Sequence, residues 1–196
     1  MGMFGLWPGP LRRRTASAPA TRDETSGDPG DAGDLLHRRA RELAAATDPE
    51  ARARAATELR HALRDLCDLA LAGGTGVADL GASVRGLASA MPFPVTVTVD
   101  VGPVAPAVAA TAYAVICEAL ANAAGHAHAR RAVVTVQRHG PTVQVAVADD
   151  GDGGARPVIG GGIVMLAARV AALRGLLHLD SPAGSGTHLT VELPAG

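Results

Sequence analysis

The sequence predicts an α+β fold: a two-layer α/β sandwich with a mixed β-sheet covered by helices on one face, preceded by an α-helical hairpin. Three observations carry that expectation. Apolar residues recur at helical spacing up to about residue 92. Beyond Pro94 the pattern turns to strict alternation, beginning with Val95-Thr-Val-Thr-Val-Asp-Val101. The strand-like runs that follow are interleaved with two long helical runs, enough to cover one face of a sheet. The expected organisation is a disordered segment over 1–33, a helical dimerisation-like region over 34–92 and an α+β domain over 93–196.

Residues 15–33 are mostly Ala, Ser, Thr, Pro, Gly and Asp, a composition that buries too little apolar surface to fold. Order is expected from Asp34, with a short helix over 35–46. Thr47-Asp48-Pro49-Glu50 reads as a helix start, a capping box from Thr47 to Glu50 with proline in the first turn. Leu59, Leu63, Leu66 and Ala70 then share one face, and Leu80, Val84, Leu87 and Met91 mark a further helix. A Leu and Ala stripe of this kind pairs with a partner chain or packs within its own domain. Next come the strand over 95–101, an Ala-rich helix over 107–124, and strands over 132–137 and 142–148 joined by a tight turn. A glycine loop, a helix to about Leu173, a strand over 176–179, the turn 181–186 and a strand over 187–193 complete the chain.

Composition excludes several function classes. Apolar residues make up 47 % of the 196 but aromatics only 2 %, so the core must be Ala, Val and Leu. A formal charge of −1 gives no general attraction to nucleic acid or acidic membranes. All 18 cations are arginine, which removes a P-loop with its phosphate-binding lysine and any Schiff-base mechanism. Cys67 and Cys117 have no metal spacing and read as reduced thiols of a cytoplasmic protein. The apolar run 1–11 falls well short of the roughly 20 residues that cross a bilayer, so no membrane span is expected in this chain. If the natural start lay upstream, residues 4–11 would be the end of a span flanked by Arg12, Arg13 and Arg14.

The stretch from Asp149 to Gly162 is the most informative. It holds six glycines in fourteen residues, crowds carboxylates into its first four positions, and joins a strand to a helix N-terminus. Glycine lets a ligand approach the backbone, and a helix N-terminus offers unpaired N–H groups to an anion. A phosphate-bearing ligand is one reading; a solvated acidic loop is the other. Asp149, where the strand ends, suits an exocyclic amine donor such as that of adenine, whereas Asp150 and Asp152 are expected to face solvent. Glu118 and Asn122 lie four apart on one helix face, a spacing suited to oxygen ligation of Mg²⁺. Gly184, Gly186 and Thr187 make a second close approach, with a hydroxyl available.

In order, these features resemble the ATP-binding domain of two-component sensor histidine kinases, in the superfamily shared with gyrase-type ATPases, Hsp90 and MutL. Glu118-Ala-Leu-Ala-Asn-Ala-Ala-Gly-His-Ala127 looks like the N box, Asp149-Asp-Gly-Asp-Gly153 like the D-x-G-x-G box, Gly160-Gly-Gly-Ile163 like the second glycine box, and Gly184-Ser-Gly-Thr187 like the closing G-x-G-T. The resemblance covers about residues 94–194. Residues 59–101 look like a second dimerisation helix and lead-in, so the dimerisation region is shortened.

The resemblance implies ATP and Mg²⁺ as cofactors and a role for each matching position. Glu118 would activate or orient water near the γ-phosphate, His126 would lie near the phosphates, and Asn122 would hold Mg²⁺. Asp149 would read the adenine amine with Thr187 in support; Gly151 and Gly153 would let the base approach; Gly160 and Gly162 would hinge a lid. It further implies a homodimer through the N-terminal helices, and transfer of the γ-phosphate to a histidine and on to an aspartate of a response regulator receiver domain. Two departures stand out. Gly125 replaces the usual cation of the N box, leaving Arg156 or Arg169 to compensate. The only histidine upstream of Thr47 is His37, followed by arginine rather than an acid, so His37 is a weak phosphoacceptor candidate and the chain reads as truncated or degenerate. Two alternatives remain: a non-catalytic nucleotide-binding interaction protein that pairs with a full-length kinase, and a serine kinase of the anti-sigma type.

Overall fold

A computed structural model of the chain describes residues 29–72, 77, 79–125 and 128–196. Three helices come first: α1 (Pro29–Ala45), α2 (Pro49–Ala72) and α3 (Leu80–Ser89). Then follow β1 (Val95–Asp100), α4 (Pro106–Gly125), β2 (Ala132–His139), β3 (Thr142–Asp149), α5 (Gly162–Ala172), β4 (Leu176–Asp180) and β5 (Thr187–Pro194). The sheet runs in the order β1-β2-β3-β5-β4, with β1 parallel to β2 and the remaining pairs antiparallel. It is the mixed sheet, helix-covered on one face, that the alternating runs predict.

Alternation explains the register. Val134 and Val136 on β2, Val143, Val145 and Val147 on β3, and Leu189, Val191 and Leu193 on β5 all point inward and are buried. They meet α4, thirteen of whose twenty residues are buried. By length and composition α4 passes for a membrane-crossing helix, yet 72 % of its apolar window is buried inside the fold. A helix that is apolar all round must be covered all round, and the sheet can cover only one side.

α2 covers the other. α2 packs along α4, with its Leu59 and Leu63 fully buried and Ala56 and Ala62 nearly so. The two helices run antiparallel: Ala56 and Arg60 lie against Gly125, Arg64 against Glu118, and Cys67 against Ala114. α1 packs on α2 through Leu36, Ala40 and Leu43, so helices form a third layer over the sandwich. Leu59 and Leu63 of the apolar stripe are therefore buried within the chain itself, whereas Leu66 is only partly buried.

Two local expectations need correction. α1 starts at Pro29, five residues before the expected onset of order at Asp34. The cap of α2 is Asp48 rather than Thr47: its Oδ1 accepts the Ala51 N–H at 2.8 Å, because Pro49 takes the first helical position, where no N–H is needed. Asp79 caps α3 in the same way, accepting from Ala82 N–H at 2.9 Å. The glycine-rich stretch Gly73-Gly-Thr-Gly76, which by sequence would end α2, lies outside the described residues.

Leu63→Ala is expected to destabilise the whole domain by about 2–5 kcal/mol in a urea melt followed by tryptophan-independent far-UV signal. An unchanged midpoint for the sheet would mean that α2 is an independent hairpin and not part of this core.

Candidate functional site

Between the C-terminal half of α4, the N-terminus of α5 and the ends of β3 and β5 lies a cavity of about 370 Å³. Glu118, Asn122, Asp149, Gly153, Gly162 and Thr187 all line it. Residues from four separated stretches of sequence thus converge on one opening. A larger cleft of about 620 Å³, between the α1–α2 turn and the end of α4, contains none of the expected site residues.

Glu118 is the buried acid of the site, 7 % exposed. Desolvating a carboxylate is costly unless it is paired, and it is paired twice. Arg64 reaches in from α2, donating from Nε to Oε2 at 3.3 Å and from Nη2 to Oε1 at 3.1 Å. That pairing raises the already high pKa of Arg64. Asn122 Nδ2 donates to Oε1 at 3.3 Å, the i,i+4 contact expected on one helix face. That bond turns the amide nitrogen to Glu118, using one of its two N–H groups, and leaves the oxygen as the atom suited to a hard cation. Among the described residues no group of three or more His, Cys, Asp or Glu side chains gathers to hold a metal ion.

The α5 N-terminus closes the same corner. Its cap residue, Gly161, offers no side chain to the first-turn N–H groups. A Cβ on Gly162 would meet the Glu118 carboxylate, so a larger residue there would displace that side chain from its present pairing. An uncapped helix N-terminus opening on a cavity is a ready site for an anion.

At the other end, Asp149 sits half-buried on β3 directly across the ladder from Thr187. Its Oδ1 accepts the Gly151 N–H at 2.9 Å, an Asx turn that fixes the carboxylate's direction. Partial burial pushes its pKa above the ordinary value, outweighing the hydrogen bonds from Gly151 and Thr187 that pull it down. The Thr187 hydroxyl is within 2.9 Å of Ser181 Oγ, and Ser181 Oγ also accepts from Ala155 N–H at 3.0 Å. These bonds tie the loop after Asp149 to the turn before β5.

Other expectations fare differently. Asp150 is not merely solvated: its Oδ1 accepts N–H bonds from Arg130 at 2.8 Å and Arg131 at 2.9 Å. Those bonds hold its pKa below the ordinary value and staple the approach to β2 onto the end of β3. Asp152 is exposed and lies 2.7 Å from His128 Nδ1. Gly153 lines the cavity, but what demands glycine is the neighbouring turn. With φ at +63°, its missing side chain would strike the Pro182 and Gly186 carbonyls. Gly186 in turn lies hard against the Asp149 carbonyl. Gly151 and Gly160 shape turns beside the cavity without lining it. His37 is exposed on α1 and does not line it either, while His126 lies outside the described residues. Of the cations expected to compensate at Gly125, Arg156 lines the cavity and Arg169 does not.

Arg64 is the site residue that sequence reading missed. Its signal lay in α4: a helix apolar on every face needs a second helix across it, and α2 was the candidate.

No family model and no curated protein sequence matches the chain. By structure it is similar to the histidine kinase domain of the Erythrobacter litoralis EL346 blue-light activated histidine kinase, with 20 % identity and a TM-score of 0.47 over 84 % of this chain and 94 % of that one. It is also similar to the Acinetobacter baumannii histidine kinase AdeS, with 17 % identity and a TM-score of 0.49 over 84 % and 95 %. A third such structure is the ATP-binding domain of PrrB from Mycobacterium tuberculosis, with 20 % identity and a TM-score of 0.46 over 60 % and 91 %. At these values what the chain does rests on the residues of its own cavity.

Proposed function

We propose that the chain binds Mg²⁺-ATP in the cavity between α4 and α5 and acts as a histidine-kinase-type phosphotransferase. The observation that carries this reading is the meeting of Asp149 and Thr187 at one end of a single cavity with Glu118, Asn122 and the α5 N-terminus at the other. An amine acceptor at one end and an anion site at the other fit the two ends of a nucleoside triphosphate. Asp149 accepts a hydrogen bond from the adenine amine, with Thr187 beside it. The first-turn N–H groups of α5 receive phosphate oxygens. The Asn122 amide oxygen would be one protein ligand for Mg²⁺, a hard cation that suits oxygen donors. When bound, the ion neutralises phosphate charge.

Phosphoryl transfer is largely positioning and charge neutralisation, and Glu118 is the group placed to orient or deprotonate a nucleophile. In this reading the γ-phosphate passes to a histidine nitrogen and then to an aspartate of a response regulator. His37 is the candidate acceptor on this chain; otherwise the acceptor sits on a partner kinase. Because Leu59 and Leu63 are buried within the chain, self-pairing through the N-terminal helices would use their other faces.

Calorimetry with Mg²⁺-ATP tests the reading directly, and absence of binding at millimolar nucleotide would sink it. Asp149→Asn is expected to weaken ATP binding by about 1–3 kcal/mol, the cost of losing a charged recognition hydrogen bond. An unchanged affinity would place the adenine elsewhere. The same substitution should not destabilise the ligand-free protein. A carboxyl with a raised folded-state pKa contributes its stability in full below its unfolded value of 3.8, and that contribution is lost as the pH rises through the folded value. Ionised Asp149 therefore burdens the fold at neutral pH, and thermal melts of the asparagine variant should lose part of the pH dependence above about pH 4.

Glu118→Gln should retain ATP and slow transfer by roughly two to four orders of magnitude. With radiolabelled ATP, acid-labile protein label indicates phosphohistidine and acid-stable label the serine-kinase alternative. Bound ATP with no label on this chain or on a partner would identify a non-catalytic nucleotide-binding protein.

A further inference from the structure

We propose that Arg64, on α2, is a phosphate-contacting residue of the cavity, so that the nucleotide site is completed by a helix outside the sandwich. This rests on the nucleotide reading above and adds a residue that no motif of the α+β domain contains.

Charge is the first argument. Among the described residues, the ionisable side chains lining the cavity are Glu118, Asp149, Arg64 and Arg156. Without Arg64, one exposed arginine would face two carboxylates and an incoming polyphosphate of the same sign. Such a cavity repels its ligand unless further cations are supplied. With Arg64 the lining is neutral before the ligand arrives. The chain contains no lysine, so the permanent cations its side chains can add are all guanidinium groups.

Geometry is the second. Glu118 is nearly buried, but the Arg64 side chain is 45 % exposed, so it reaches the acid from the open side of the cavity. The two recorded bonds use one N–H each from Nε and Nη2. A guanidinium has five N–H donors in a fixed fork that matches phosphate as well as carboxylate. Glu118 itself lies against Gly162, the first residue of α5. Arg64 is thereby held within one side chain of the helix N-terminus assigned to phosphate.

Position is the third. Arg64 follows fully buried Leu63 on α2, and Leu59 is locked one turn earlier. The guanidinium is delivered by a rigid element rather than a loop, which lowers the ordering cost of using it.

The test is a double-mutant cycle on the full chain, using R64Q, E118Q and R64Q/E118Q, with Mg²⁺-ATP and adenosine titrated separately. If Arg64 touches phosphate, R64Q weakens ATP binding by about tenfold or more in both the wild-type and E118Q backgrounds, and adenosine affinity stays within about twofold. No effect of R64Q on ATP in the E118Q background would overturn the proposal, because Arg64 would then serve only to neutralise Glu118. Equal losses for ATP and adenosine would overturn it too, since α2 would be a structural support. R64Q alone strands a buried carboxylate and can fail to fold. The double variant has no stranded charge, so its comparison with E118Q decides the matter in that event. Wild-type protein that binds adenosine but gains nothing from the phosphates sinks this inference alone. Wild-type protein that binds neither ligand sinks the nucleotide reading as well.

Discussion

A carboxylate as enclosed as Glu118 must be paired, and its pairing fixes where three helices meet. Arg64 brings α2 to it, Asn122 supports it within α4, and Gly162 allows the start of α5 to close over it. Removing one partner of a buried ion pair typically costs more than the pair contributes, because the remaining charge is stranded. The α2–α4 packing and the chemistry of the cavity are therefore not separable features. Leucines supply the area of contact between the helices, and the ion pair sets their register along each other.

The end of the cavity that holds Asp149 is organised by different means. Here the backbone does most of the holding: Gly153 lies against the Pro182 and Gly186 carbonyls, and Gly186 lies against Asp149. Two loops far apart in sequence close to main-chain contact, and Ser181 bridges them by hydrogen bonds. Asp149 is kept ionisable in a setting that disfavours its charge. Groups held at a cost to the fold cluster at functional positions, and Asp149 is such a group, whereas Asp150 is stabilised where it stands.

Much of this was legible in the sequence. Alternating valines marked β1, β2 and β3 to within a residue or two, because a half-buried strand cannot satisfy its two faces otherwise. Spacing placed Glu118 and Asn122 on one face, and chain order brought Asp149 and Thr187 to the same cavity. What escaped was long-range pairing. Arg64 stands 54 residues before Glu118, beside an apolar stripe, where arginines ordinarily face solvent. The staple made by Asp150 was hidden for a related reason: its partners are backbone N–H groups, which carry no residue identity. Gly153 was read as room for a ligand, and only the neighbouring turn reveals that backbone occupies that room.

The burial of α4 on both sides has a consequence for how the chain is made. Synthesis runs from the N-terminus, so α2 leaves the ribosome before α4, while β2 to β5 emerge after it. The longest apolar helix among the described residues therefore meets a ready-made cover before its sheet exists. The leucines of α2 shield the nascent helix during the interval in which it would otherwise stick to other chains or to a lipid surface.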